Sequence, residues 1–211
     1  MACSGVPEIK VTYFHFAGRA ESIRLALYIN GVTFTDDRFT REEWPKIKPT
    51  TPFGQVPTMT IDGKQYAQTG SLLRYAGRIT GMHPSDPIKA LPIEMICDAF
   101  DDVFAALRPL LSESDRQKKK ELTEEFLSEA LPRIMSAIDK LVGQDDPKFC
   151  CGNSLSIADL IAFNMLVWLK SGKIDHVPKD CTDQFRNLAR VFETVRSHPK
   201  VIEWRSKHQT L

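Results

Sequence analysis

Tyr13 and Arg19 are the residues whose types and spacing most directly suggest chemistry. They flank a turn at residues 15–18, where an alternating apolar run that predicts a buried strand meets a stretch that predicts a helix ending at Asn30–Gly31. A strand that passes into a helix through a short turn presents its last residues at a carboxyl edge, where ligands usually bind. If these two residues do not act on a ligand, Tyr13 is a half-buried tyrosine of the strand and Arg19 is a surface arginine paired with Glu21.

A second candidate is an acidic cluster on a predicted helix. Asp98, Asp101 and Asp102 are spaced so that Asp98 has both of the others near its face. Buried like charges would repel, so the cluster should face solvent, a cation or a partner; a solvated acidic face is the simplest of these. The five cysteines form no CxxC pair and no metal spacing. We therefore predict no metal requirement and a reduced, cytoplasmic protein.

The composition excludes several classes of function. The chain has 211 residues, 42% hydrophobic and 26% charged, with a formal net charge of +1. A net charge this small does not attract nucleic acid or an anionic membrane, so we predict neither as a partner. The first residues lack the apolar stretch of a signal peptide, and no run approaches the roughly 18 apolar residues of a membrane span.

The first eighty residues alternate between strand and helix patterns. Strands are predicted over 9–13, 32–39, 55–61 and 64–67, and helices over 23–29, 41–48 and 69–80. Pro57 should head the third strand, because proline cannot donate to a sheet ladder. Asp62–Gly63 is a hairpin signal, and Thr69 is the predicted N-cap of the following helix. Helices packed on a small mixed sheet would satisfy this order.

The rest of the chain predicts helices. Residues 82–91 have no apolar period and two X-Pro pairs, which indicates a linker. A helical period follows over 93–110 and over 122–141, with a kink at Pro132. Ser156 and Asp159 form a capping box before an apolar helix, 160–169. A helix over 185–196 and a last helical turn with Trp204 complete the chain. The predicted domains are 1–81 and 92–211, joined by 82–91.

These features together resemble the cytosolic glutathione transferases, the sigma class most closely. The motifs that carry the resemblance are Tyr13-Phe14, Gly18-Arg19-Ala20-Glu21, Trp44-Pro45-Lys46-Ile47-Lys48, Pro52-Phe53-Gly54-Gln55-Val56-Pro57, Gln68-Thr69, Leu73-Arg74-Tyr75 and Ser156-Ile157-Ala158-Asp159. Each is weak alone, but their order and spacing are specific, and the match runs from about residue 9 to the last residues. The resemblance implies an α/β thioredoxin-like domain (βαβ–ββα), an all-α second domain, a homodimer, and glutathione as co-substrate.

The resemblance also implies the catalytic roles. The Tyr13 hydroxyl would donate to the glutathione sulfur and favour the thiolate, which is the nucleophile. Arg19 would lie over the Tyr13 ring and strengthen this donation.

The remaining implied contacts would hold the tripeptide. A cis Val56–Pro57 bond would free the Val56 backbone to pair with the tripeptide's cysteinyl backbone, and Gln55 and Pro57 would be further glutathione contacts. Gln68 with Thr69 would bind the γ-glutamyl carboxylate at a helix start. The other contacts implied are Trp44 and Lys48 for the glycine end and Asp101 of a second subunit for the γ-glutamyl amine. Simple packing for Trp44 and an ordinary N-cap for Thr69 are the alternatives.

The acceptor site is predicted to be apolar, with Phe14, Phe16, Phe104 and Arg108 around it. Ala17 removes an arginine that often precedes the glycine in relatives, and His15 beside it is predicted to be a bystander. The predicted activity is conjugation of glutathione to electrophiles, with hydroperoxide reduction or prostaglandin isomerisation as further reactions. The absence of tryptophan over 105–111 weakens the last of these. A crystallin-like structural or ligand-carrier protein is the alternative. A disulfide reductase ranks last, because it expects cysteine at the strand end.

Overall fold

The structure, a computed structural model, describes residues 7–144 and 147–208. The chain forms two compact units. Of the described residues, one unit contains 7–82 and 199–208, and the other contains 83–144 and 147–198. The final helix therefore belongs with the first unit, whereas the sequence predicted it in the second domain.

A four-stranded mixed sheet forms the centre of the first unit. The strands are β1 (Ile9–Phe14), β2 (Thr35–Phe39), β3 (Thr58–Ile61) and β4 (Lys64–Ala67). Their order is β2-β1-β3-β4, with β1 parallel to β2 and antiparallel to β3, and β3 antiparallel to β4. The alternating side chains Ile9, Val11 and Tyr13 are buried, as the period of the sequence predicted.

Helices complete the first unit. They are α1 (Glu21–Ile29), α2 (Trp44–Ile47), α3 (Thr69–Thr80) and, from the end of the chain, the helix Pro199–His208. One-turn 3-10 helices, Gly18–Ala20 and Lys48–Thr50, lie before α1 and after α2. The predicted order of strands and helices over the first eighty residues is thus confirmed.

Two strands begin later than predicted, each for a local reason. Residues 32–34 precede β2 because the Val32 N–H still donates to the Leu27 carbonyl, which keeps the chain folded onto the end of α1. Residues 55–57 precede β3, so Pro57 lies just before that strand rather than at its head. The N-cap of α3 is Gln68, and Thr69 is the first helical residue, which corrects the predicted cap.

The second unit is helical. Its helices are α4 (Pro87–Ser112), α5 (Arg116–Glu125), α6 (Leu131–Val142), α7 (Ile157–Leu169) and α8 (Arg186–Arg196), and the helix Pro199–His208 of the first unit is α9. A π-helical segment, Phe126–Ala130, joins α5 to α6 immediately before Pro132, where the sequence predicted a kink. The capping box of Ser156 and Asp159 at the start of α7 is confirmed.

The predicted linker is partly helical. Asp86 caps α4 by accepting hydrogen bonds from the backbone N–H groups of Ile88 (2.9 Å) and Lys89 (3.2 Å), and Pro87 occupies the first turn. An Asp-Pro pair is thus a helix start here, since proline needs no hydrogen-bond partner in a first turn. In the described part of the chain, no helix is long and apolar enough to cross a membrane.

Candidate functional site

Tyr13 is held at the end of β1, opposite Arg38 in the register with β2. The side chain is only 7% exposed. Its hydroxyl oxygen accepts a hydrogen bond from the backbone N–H of Arg19, at 3.3 Å. The 3-10 turn Gly18–Ala20 brings this N–H to the hydroxyl, so the turn between strand and helix acts directly on the tyrosine.

Gly18 makes this approach possible. Its φ is +45°, and a β-carbon at this residue would lie 2.6 Å from the Tyr13 hydroxyl oxygen and 2.5 Å from the Tyr13 ring. Any side chain would therefore displace the tyrosine or the turn. The sequence indicated a tight turn here, but not that the glycine makes room for the hydroxyl.

The surroundings of Tyr13 keep its hydroxyl protonated at neutral pH. Burial raises the pKa of Tyr13, and the Arg19 N–H together with the positive charges of Arg19 and Arg24 offsets part of that rise. Within residues 7–144 and 147–208, the hydroxyl proton of Tyr13 has no acceptor at hydrogen-bond distance. The group is therefore a neutral donor with its proton available to a ligand.

Arg19 also lines a small cleft in the same unit. The cleft is open to solvent and brings together most residues predicted to bind a ligand. It is lined by Arg19, Phe53, Gln55, Val56, Pro57, Ala67, Gln68 and Thr69. The Val56–Pro57 peptide bond is cis, as predicted. Five predicted binding residues thus converge on one cleft beside the residue whose backbone contacts Tyr13.

The strained residue of this cleft is Gln68. Its φ is +75°, in a region that residues other than glycine rarely adopt, and it lies at the N-cap of the twelve-residue helix α3. Such strain costs about 1–3 kcal/mol and is concentrated at functional sites. The N-terminus of α3 also carries a partial positive charge, which favours an anionic group in the cleft.

Trp44 and Lys48 are not among the residues that line the cleft. The Trp44 ring stacks on Phe39, with centroids 5.8 Å apart, and tilts against Phe14 at 5.6 Å, so packing accounts for its position. Lys48 is exposed, and its aliphatic part passes over Gly54, where a β-carbon would be 3.5 Å from Cε.

Aromatic rings surround the phenol of Tyr13. Phe14 and Phe16 each have a ring centroid 5.5 Å from that of Tyr13, in edge-on orientation, and they stack on each other with an interplanar angle of 4°. Phe16 is exposed. The two predicted acceptor residues of the first unit are therefore adjacent to Tyr13.

The other predicted residues belong to the second unit. Asp101, Phe104 and Arg108 all lie on α4, where Phe104 stacks on Trp168 with centroids 5.8 Å apart. Among the residues that the structure describes, no group of three or more histidine, cysteine or acidic side chains could hold a metal ion.

The sequence predictions missed Arg24. Its side chain is fully buried, and its guanidinium carbon lies 5.7 Å from the centroid of the Tyr13 ring. A charged residue in an apolar run, Ile23-Arg24-Leu25, is the signal that could have identified it, because a buried charge requires a partner.

Comparison with known proteins gives the family. Residues 9–78 match the model "Glutathione S-transferase, N-terminal domain", and residues 101–208 match "Glutathione S-transferase, C-terminal domain". Glutathione S-transferase 1 of Ascaris suum is 31% identical, over 94% of this chain and 96% of its own. Hematopoietic prostaglandin D synthase of Gallus gallus is 31% identical, over 96% and 97%.

A solved structure agrees with these matches. The prostaglandin D synthase of Nilaparvata lugens superposes with a TM-score of 0.86 and 32% identity, covering 95% of this chain and 98% of its own. The chain therefore belongs to the glutathione S-transferase family, and the predicted fold, an α/β thioredoxin-like part followed by helices, is confirmed.

Proposed function

We propose that this protein is a sigma-like glutathione transferase in which Tyr13 activates the thiol of glutathione for attack on electrophiles. The observation that carries the proposal is the Tyr13 hydroxyl. It is buried and protonated, it accepts from Arg19, and its own proton has no acceptor in the described chain. A thiolate sulfur placed beside this hydroxyl would accept a hydrogen bond from it.

The energy required is within reach of one such bond. A free thiol has a pKa of about 8.5, so only a few per cent is thiolate at neutral pH. Lowering that pKa by two units needs about 2.7 kcal/mol. A hydrogen bond to a charged group contributes roughly 1.5–3 kcal/mol, so Tyr13 could supply most of the shift. Arg19 would tune the donor through its backbone N–H and its charge.

The cleft would hold the rest of the tripeptide. Its helix N-terminus and the hydroxyl of Thr69 suit the γ-glutamyl carboxylate, and Gln68 with its strained backbone adjoins them. We assign Gln55, Val56 and Pro57 to the cysteinyl part. Trp44 and Lys48 are assigned to the glycine end, Lys48 as a point charge for its carboxylate.

Substitution of Tyr13 tests the mechanism. Tyr13→Phe should lower kcat/KM for a chlorodinitrobenzene-type acceptor by about 10- to 100-fold, corresponding to the lost hydrogen bond of roughly 1.5–3 kcal/mol. The KM for glutathione should change little, because the cleft is untouched. Tyr28→Phe is the matched control and should keep full activity. Unchanged turnover in Tyr13→Phe would exclude Tyr13 as the activator.

We also propose that the protein acts as a homodimer. In the first unit, Phe53 and Tyr66 are exposed and line a groove that is open to solvent. In the second, Ile88, Leu91 and Met95 are exposed along α4 at spacings of three and four residues, with Ile88 76% exposed. This spacing forms one continuous apolar stripe, which a second copy would cover.

A charge on the stripe tests the dimer. Leu91→Glu should give a monomer in sedimentation velocity. Ile202→Glu, which alters an isolated exposed isoleucine on α9, should leave the dimer intact. A wild-type monomer at micromolar concentration would contradict the proposal.

Asp101 would then serve the partner's glutathione site. Asp101→Asn should raise the KM for glutathione by about five- to tenfold, the effect of losing one charge pair across an interface. Asp102→Asn, which removes a neighbouring charge of the same helix, should not. Equal effects of both variants would favour a general acidic face.

Several acceptors fit an apolar site, and detoxification of electrophiles is the role we propose. Phe14 and Phe16 supply its wall in the first unit, and Phe104 and Arg108 remain assigned to it from the sequence. Relatives named prostaglandin D synthase make prostaglandin isomerisation the second candidate. Turnover measured with electrophiles, hydroperoxides and a prostaglandin endoperoxide separates these activities. A structural or carrier protein would show none of them.

A further inference from the structure

Arg24 is the centre of a buried charge cluster in the first unit. Its Nε donates to Asp36 Oδ1 at 2.8 Å, and its Nη1 lies 3.3 Å from Glu21 Oε2. The same Nη1 donates to the carbonyl oxygens of Phe16 (3.3 Å) and Ala17 (3.2 Å). One guanidinium therefore joins β2, α1 and the turn that precedes Gly18.

Glu21 extends this cluster to the end of the chain. Its Oε1 accepts a hydrogen bond from the indole Nε1 of Trp204, at 2.7 Å, across 183 residues of sequence. Both side chains are buried, and Trp204 lies on α9. The carboxylate of Glu21 thus holds Arg24 with one oxygen and the C-terminal helix with the other.

The cluster meets the Tyr13 site at two points. The Arg24 guanidinium lies against the Tyr13 ring, 5.7 Å from its centroid. The two carbonyl groups that Arg24 contacts belong to Phe16 and Ala17, which immediately precede Gly18. The next residue, Arg19, donates its backbone N–H to the Tyr13 hydroxyl. A change in the orientation of Arg24 would therefore move both the ring's charged neighbour and the turn.

We propose that Arg24 is a positioning residue for Tyr13, and that Glu21 and Trp204 hold Arg24 in the required orientation. Trp204, Glu21 and Arg24 form a buried relay from the C-terminal helix to the turn beside the active hydroxyl. The proposal rests on the proposed function of Tyr13. A purely structural ion pair would stabilise the fold without acting on the tyrosine, and that is the alternative to be tested.

The test uses conservative variants of the full chain. Trp204→Phe keeps an aromatic ring but removes the indole donor, and Arg24→Lys keeps the charge but removes the forked contacts. Tyr28→Phe is the matched control, because the Tyr28 hydroxyl also links α1 to α9, through Lys207 at 3.1 Å. The substitution removes only this hydroxyl and keeps the ring, which packs against Trp204 with centroids 4.8 Å apart. Urea unfolding of each variant measures any loss of stability separately.

Two readouts follow Tyr13 itself. The first is the pH profile of kcat/KM for the electrophile at saturating glutathione, which reports ionisation of the enzyme–glutathione complex. The relay variants should lose about three- to tenfold near pH 7 and recover at high pH, as expected if the bound thiol titrates up to one unit higher. The second needs no glutathione: it is the NMR shift of Tyr13 Cζ, in protein with its four tyrosines isotope-labelled, assigned by its absence in Tyr13→Phe. Trp204→Phe and Arg24→Lys should move this resonance, and Tyr28→Phe should not.

The outcomes separate the relay from the proposed function. If Trp204→Phe and Arg24→Lys lower stability but leave the profile and the Tyr13 resonance unchanged, the relay is wrong, and a strong effect of Tyr13→Phe would keep the proposed function. If Tyr13→Phe has no effect on the profile while the resonance still moves in the relay variants, the proposed function fails and the positioning of Tyr13 stands. An equal effect of Tyr28→Phe would overturn the relay.

Discussion

Tyr13 in the first unit and Asp159 in the second are both buried ionisable groups, and burial raises the pKa of each. Their hydrogen bonding differs. Tyr13 accepts one N–H and keeps a proton that no described residue accepts. Asp159 has its oxygens occupied by the backbone N–H of Cys150 (2.6 Å), the backbone N–H of Ser156 (2.7 Å) and the Ser156 hydroxyl (2.7 Å).

The two cysteines near Asp159, Cys150 and Cys151, are also unsuited to chemistry. Burial and the Asp159 carboxylate raise the pKa of the Cys150 thiol well above its usual range, and the same causes raise that of Cys151 to about 12. Thiols in this state are poor nucleophiles. The hydrogen bonds of Asp159 are thus all used to hold the loop before α7. Tyr13, in contrast, has a hydroxyl proton left for a ligand. Substitutions in the two regions should therefore differ in whether stability or activity changes.

The largest effect is expected from Asp159→Ala. It leaves two buried N–H groups and the Ser156 hydroxyl without their acceptor, so the free energy of unfolding should fall by about 3 kcal/mol or more. Urea unfolding measures it. Asp183→Ala, which removes an exposed partner of Lys170, is the control and should cost less than about 1 kcal/mol. Similar losses in both variants would remove the basis of the comparison.

Gly18→Ala should act mainly on activity. The new β-carbon would meet the Tyr13 hydroxyl, so kcat/KM should fall about 10- to 30-fold, or about 1.4–2 kcal/mol. Gly31→Ala is the matched control, because Gly31 also has a positive φ, +70°, but open space around it. Both should lose stability through backbone strain, and only Gly18→Ala should lose turnover. Full activity in Gly18→Ala would contradict the described position of the hydroxyl.

Ser156→Ala should give a smaller change, in stability alone. Removal of an N-cap side chain costs typically about 1 kcal/mol. Calorimetry should record this as a lower Tm, with the pH profile of kcat/KM unchanged. A shift of that profile would link the second region to catalysis.

The smallest effect concerns thiol labelling. Because the pKa of Cys151 is about 12, its thiolate fraction, and so its rate of alkylation, should rise about tenfold per pH unit from about pH 7 to about pH 10. Because Cys150 lies in the same peptide, tandem mass spectrometry after brief alkylation is needed to assign the label to Cys151. A rate that levels off above about pH 9 would indicate an ordinary, exposed thiol with a pKa of about 8.5.

Local signals in the sequence predicted much of the fold and part of the site. The bounds of β4 and α3 and the capping box of α7 were predicted closely, because period, turn residues and caps act over a few positions. The motif order also predicted the cis bond at Pro57 and the residues that meet in the cleft, although their binding roles stay predictions. Asp86–Pro87 was misinterpreted as a linker, since the same pair suits a turn and a helix start.

Only the tertiary structure decided how Tyr13 is surrounded. The sequence determined that a tyrosine, a glycine and an arginine would lie at the end of the first strand. The apolar neighbours of Arg24 are a local signal that its charge is buried, but no local signal indicated that it would lie against the Tyr13 ring or that Trp204 would bond to Glu21. Contacts between residues so distant along the chain depend on the packing of whole helices and strands, and a short window of sequence contains no record of that packing.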